Sequence, residues 1–206
     1  MGVRPEEQLL ALYVKLNLYV KECQLPEVLP PFNEDGFLPQ GEYCLTLVEL
    51  KESMLINNPN EGWNREWRLH LVNNLEIVVQ QLWRIQIENR YINGSFVEDK
   101  DHPNDIDIYF DCDRKYFVSG KLEEDLNKVD KHKCWTWEES KKTLDIATGK
   151  RHLPIWWQYR IDVWPNFEQG AGIINPKTNK EMTFPELFRT SRFSFKPKGI
   201  VKIRKS

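Results

Sequence analysis

The sequence predicts an α+β fold in a single domain. Three observations lead there. Residues 63–83 carry Trp67, Leu71, Leu75, Val78, Val79 and Leu82 at helical spacing. Short apolar runs at 105–110 and 155–167 alternate as strands do. Helical patterns come first along the chain, and strands mixed with helices follow. The expected layout is one domain over residues 1–206, mainly helical over 1–85, with a sheet core over 86–206.

Taken in order, residues 6–22 place Leu9, Leu10, Tyr13, Leu16 and Val20 near one helix face. The stretch "LPEVLPPFNEDGFLPQGEY" has four prolines and two glycines, so it is irregular. It keeps Leu29, Phe32, Phe37 and Leu38, which suits an ordered segment better than a linker. Thr46, with Glu49 in the capping-box position, starts a short helix expected to run through Leu55. The cluster "NNPNEG" is a turn, and the long helix over 63–83 follows. A strand ends near Ile92, then comes a Gly-Ser turn, then a strand at 105–110. Residues 115–129 read as helical, and a second helix is expected after Trp135. Along 155–167, Ile155, Trp157, Tyr159, Ile161 and Val163 fall on one face of an expected strand. "TFPELFR" reads as a short helix and "KGIVKIRK" as a final strand.

Composition removes several function classes. A net charge of -2 gives no global basic excess, which argues against broad nucleic-acid binding. No apolar run has the length of a membrane span, and the N-terminal residues read as an amphipathic helix and not as a signal peptide. The four cysteines, Cys23, Cys44, Cys112 and Cys134, form no CxxC pair, so reduced thiols in a cytoplasmic protein are expected. There is no G-x-S-x-G elbow, no Walker loop and no HExxH; Gly170 and Gly172 make only a G-x-G.

The stretch "INGSFVEDKDHPNDIDIYFD", residues 92–111, is chemically unusual. Asp105 and Asp107 flank one isoleucine in an otherwise apolar run. A carboxylate in such a setting costs several kcal/mol unless something compensates it. Alternate strand residues share a face, so both acids point the same way, roughly 7 Å apart at the backbone. That is within reach of one divalent cation. Gly94 permits close backbone approach, and Ser95 adds a hydroxyl beside the turn, a combination suited to phosphate. Taken alone, the same residues also fit a hairpin turn and a wet strand face.

Other residues carry weaker signals. Asp111 and Asp113 read as solvated strand-end acids, and Lys100 and His102 as loop charges within reach of a phosphate. Lys177, Lys180, Arg189 and Arg192 can form a local basic surface, while Lys196, Lys198, Lys202, Arg204 and Lys205 read as a cationic tail. Trp135, Trp137, Trp156, Trp157 and Trp164 are expected mostly in the core, with base stacking as the alternative.

Gly94-Ser95 followed by Asp105-Ile106-Asp107 resembles the signature of the nucleotidyltransferase superfamily, which has the DNA polymerase β-like fold. That signature is a Gly-Ser turn, an Asp-x-Asp or Asp-x-Glu strand, and a third acid from a later strand; Asp162 in "YRIDVW" matches the last. The order of "LPPFNEDGFLPQGEY", the central stretch and "FKPKGIVKI" is also similar to a family of small bacterial nucleotidyltransferase-like proteins of unknown function. The chain departs from that family at Phe32, often Gly there, and at Glu98, often Thr.

The resemblance implies a mixed sheet flanked by helices, with a helical N-terminal extension. It implies that Asp105, Asp107 and Asp162 are the catalytic acids and the ligands of two magnesium ions. Gly94 and Ser95 would bind the phosphates of a nucleoside triphosphate such as ATP. The acceptor would be a hydroxyl on RNA, on a protein or on a small molecule, and toxin–antitoxin and phage-defence settings are common among small members. The alternative is a catalytically inactive module of the same fold that docks a partner through its N-terminal helices.

Overall fold

The computed structural model describes residues 28–205. The helix expected over 6–22 lies outside them, as does Cys23. The fold is mixed α+β, with six α-helices among the described residues.

The central sheet has five strands: β1 (Glu42–Leu45), β2 (Arg90–Asn93), β3 (Ile106–Asp111), β6 (Ile161–Asn166) and β9 (Ile200–Ile203). Their spatial order is β1-β9-β2-β3-β6. The outer pairs β1–β9 and β3–β6 are parallel, while β9–β2 and β2–β3 are antiparallel. Two separate hairpins, β4 (Thr143–Asp145) with β5 (Lys150–His152) and β7 (Gly170–Asn175) with β8 (Lys180–Thr183), stand outside this sheet.

One sheet face carries the main core. Ile92, Ile106, Ile108, Phe110, Ile161 and Val163 are all fully buried there. The helix α2 (Arg65–Arg84) covers them with Leu71, Leu75, Val78, Val79 and Leu82, each fully buried. Each such side chain contributes about 1.5–3 kcal/mol of apolar burial, which outweighs any preference of the isolated helix. Asn64 caps α2 by accepting from the Trp67 amide at 3.0 Å. The opposite face carries Tyr91, Tyr109 and Ile200 under the short helix α6 (Phe184–Phe188).

The Thr46 capping box forms as expected: Thr46 Oγ1 accepts the Glu49 amide at 3.1 Å, and Glu49 Oε2 accepts the Thr46 amide at 2.7 Å. Its helix α1 (Leu47–Glu52) stops three residues short of Leu55. The helical stretch around 115–129 divides into α3 (Arg114–Val118) and α4 (Lys121–Val129). Gly120 breaks it with φ +75°.

Two expectations about 135–167 are corrected. No α-helix follows directly after Trp135; residues 136–153 hold a short 3₁₀ turn, Glu139–Lys141, and the β4–β5 hairpin. The strand expected over 155–167 begins only at Ile161, because Pro154–Tyr159 form helix α5. Pro154 sits at the first helical turn, where its missing N–H costs nothing. Ile155, Trp156 and Tyr159 then fall on one helix face and are buried, whereas Trp157, expected inward, is 42% exposed. Arg160, at φ +56°, ends the helix and turns the chain into β6.

A buried polar network anchors α5. Asp130, 2% exposed, accepts from the Tyr159 hydroxyl at 2.8 Å, Gln81 Nε2 at 3.1 Å and the Cys134 amide at 3.0 Å. Burial alone would raise the Asp130 pKa, but these donors bring it below the usual value.

Candidate functional site

Residues on successive strands decide where the acids stand. Asp107 is the register partner of Asn93 on β2 and of Asp162 on β6. Odd-numbered β3 residues point away from the main core, so Asp107 and Asp162 share the outer sheet face with Tyr109 and Trp164. Asp105 lies one residue before β3, on the same side by alternation.

The Gly94–Val97 segment is a single 3₁₀ turn leading out of β2. Asn93 fixes its start: its side-chain oxygen accepts the Gly94 amide at 2.5 Å, while its Nδ2 donates to the Phe188 carbonyl. Gly94 has φ +75°, and a Cβ there would lie 1.7 Å from Asp107 Oδ2. Only glycine allows both that backbone and that closeness. The Gly-Ser turn and the middle acid are thus in direct contact.

These groups line a cleft of about 770 Å³ that brings together Gly94, Ser95, Asp105, Asp107 and Asp162. All five residues singled out in the sequence meet there. Their electrostatics are those of crowded like charges. Burial, then Asp105 and Asp162, pushes the Asp107 carboxyl up to about 8. Burial, then Asp105, raises Asp162 to about 6. No ion pair involves any of the three acids among the described residues. Arg160, two residues before Asp162, stacks its guanidinium 4.0 Å from the Trp156 ring centre.

The fit to divalent cations is one of chemistry and position. The donors are hard carboxylate oxygens, and their mutual repulsion is what a bound cation would relieve. The carboxylates are not already converged: among the described residues, no three His, Cys, Asp or Glu side chains form a ready-made metal cluster.

Several residues of the site read differently in the sequence or left no signal there. Trp156 donates its indole N–H to Asp105 Oδ2 at 2.7 Å. His152 stacks on Trp156 at 3.7 Å, and its Nε2 is buried without a partner. Lys150, on the missed β4–β5 hairpin, faces Asp107 and Asp162 electrostatically. Lys198, read as part of a cationic tail, is 6% exposed and pairs with Glu98 at 2.6 Å inside the cleft wall. A "PKG" triplet before an apolar strand was the available hint.

Other sequence candidates fall elsewhere. Asp111 lines a second cleft of about 530 Å³ at the far end of β3, but Asn166 already satisfies it at 2.8 Å. Asp113 caps α3 by accepting the Tyr116 amide at 3.0 Å. His102 stacks on Trp67, and Lys100 reaches the cleft rim.

The profile of one protein family, described as a family of unknown function (DUF6932), matches residues 30–204. The chain belongs to that family. The match therefore spans the five-stranded sheet, both hairpins and every residue of the acidic cleft. Comparison with curated proteins and with solved structures gave no match. No helix among the described residues of this DUF6932 member is long and apolar enough to cross a membrane.

Proposed function

We propose that this protein is a nucleotidyltransferase that moves a nucleoside monophosphate from a nucleoside triphosphate to a hydroxyl acceptor. One observation carries the reading: Asp107 and Asp162 are register neighbours on one sheet face, and Asp107 lies against the Gly94–Ser95 turn. Phosphate at the turn and cation at the acids would then be adjacent, as phosphoryl chemistry needs.

In this reading Asp105, Asp107 and Asp162 would hold magnesium, which would supply charge neutralisation for the phosphoryl transfer. Ser95 and the turn backbone orient the phosphates, and Lys150 and Lys198 offset their charge from the cleft walls. An acceptor hydroxyl attacks the α-phosphorus, the bond to the bridging oxygen breaks, and pyrophosphate departs. Asp162, on the same sheet face as Asp107, would act as a ligand of the cation or as the base that takes the hydroxyl proton.

Calorimetry with a non-hydrolysable ATP analogue tests this. Wild type should bind it at least tenfold more tightly with magnesium, and Asp107→Ala should remove that dependence. Folded wild type with no magnesium-dependent binding would sink the proposal.

The unconverged acids favour a second reading, in which the cleft binds a triphosphate without turning it over and serves a partner. Pyrophosphate release separates the two: binding without release across RNA, protein and small hydroxyl acceptors supports the second.

A further inference from the structure

The Trp156 indole is held from every side. It is 1% exposed. The His152 ring lies 3.7 Å away and inclined by 10°, and the Arg160 guanidinium lies 4.0 Å from the ring centre. Two groups so close cannot share one ring face, so the indole is sandwiched. Its backbone is equally fixed. Tyr159 ties α5 to Asp130, and the Arg160 carbonyl accepts the Ile106 amide at 3.1 Å, joining the end of α5 to the start of β3. The single polar atom of this immobilised ring, Nε1, meets Asp105 Oδ2 at 2.7 Å. Asp105 Oδ1 accepts no hydrogen bond among the described residues, and Asp105 lines the cleft.

An indole N–H is a donor without charge and without acceptor capacity. A Lys or Arg in its place would neutralise the carboxylate and compete with a cation. The indole only orients it. By occupying one oxygen it also opposes two-oxygen coordination, the mode that suits large, flexible calcium sites better than compact octahedral ones.

We infer that Trp156 is a positioning residue that holds Asp105 by one oxygen, leaving the other for a small divalent cation and disfavouring calcium. The inference rests on the proposed cation site. Ligand-orienting partners of this kind are worth about 10–100-fold in metal affinity.

The test is a titration of the full chain with manganese, followed by its paramagnetic signal, and with calcium by calorimetry. Trp156→Phe keeps an aromatic ring between His152 and Arg160 but has no donor. It should bind manganese about 10–100-fold more weakly while its calcium affinity falls less, narrowing the discrimination. Trp156→His, which retains a ring N–H, should recover part of the loss. A folded Trp156→Phe protein with wild-type affinities for both ions overturns the inference and leaves the proposed function standing. Failure of wild type to bind manganese at all overturns both. Should Trp156→Phe not fold, the wild-type indole N–H resonance decides: it must shift on manganese-free magnesium titration, and an unmoved resonance overturns the inference.

Discussion

The carboxylate of Asp107 lies directly over the Cα of Gly94, so close that a methyl on residue 94 would stand 1.7 Å from Oδ2 and 2.7 Å from Cγ. Gly94→Ala therefore meets two penalties. A non-glycine residue at φ +75° costs about 1–2 kcal/mol, and the added methyl must also displace the acid. Urea denaturation should show a loss of about 2–4 kcal/mol. Magnesium-dependent stabilisation should disappear with it, because Asp107 cannot keep its place.

The raised Asp107 pKa has a definite sign. Its folded value, about 8, is above the ordinary 3.8, so the folded state holds the proton more tightly. The stability linked to that proton is fully present below about pH 4 and is lost as pH rises through about 8. Asp162 adds the same trend up to about pH 6. Without divalent cations, Asp107→Asn should raise the thermal midpoint at pH 8 and leave it nearly unchanged near pH 4. Magnesium should stabilise wild type more at pH 8 than at pH 5. Thermal melts across that range check both, and a wild-type midpoint that climbs steadily from pH 5 to 8 would refute the sign.

Arg68 fastens the loop that carries the chain from the Gly-Ser turn to the acids. It is fully buried, stacked between Trp63 at 4.0 Å and Phe96 at 4.6 Å. Its guanidinium donates to the carbonyls of Leu55, Phe96 and Lys100, the last at 2.8 Å. Burial lowers its pKa to about 9, against the pull of Asp101 and Asp99. Arg68→Met leaves three carbonyls without this donor, two of them buried, so a loss of about 3–5 kcal/mol in urea denaturation is expected. Arg68→Lys should recover only part, since one ammonium does not span three directions. By contrast, removing the exposed Lys128–Glu124 pair, 2.6 Å apart, should leave the urea midpoint unchanged, since water already screens it.

What was legible in the sequence follows from range. The helix over Arg65–Arg84 was visible because its buried positions repeat every three or four residues in one continuous segment. Asp105, Asp107 and Asp162 stood out because a carboxylate amid apolar strand residues is locally anomalous. The same alternation misled at 155–159: Ile155, Trp157 and Tyr159 read as a strand face, and tertiary burial of Trp156 selected a helix instead. Strand β1 and the two hairpins left little local pattern, since they are short and the hairpins bury almost no apolar face.

The sequence by itself singled out five residues that line the acidic cleft and the α+β frame that holds them, because both are written in nearest-neighbour pattern. Tertiary structure alone decided their partners. The Trp156–Asp105 hydrogen bond joins residues 51 positions apart, the Lys198–Glu98 ion pair 100, and the Asp107–Asp162 register depends on two strands crossing over in parallel. Such contacts form only when burial of the shared core brings distant segments together, and no local spacing encodes that distance.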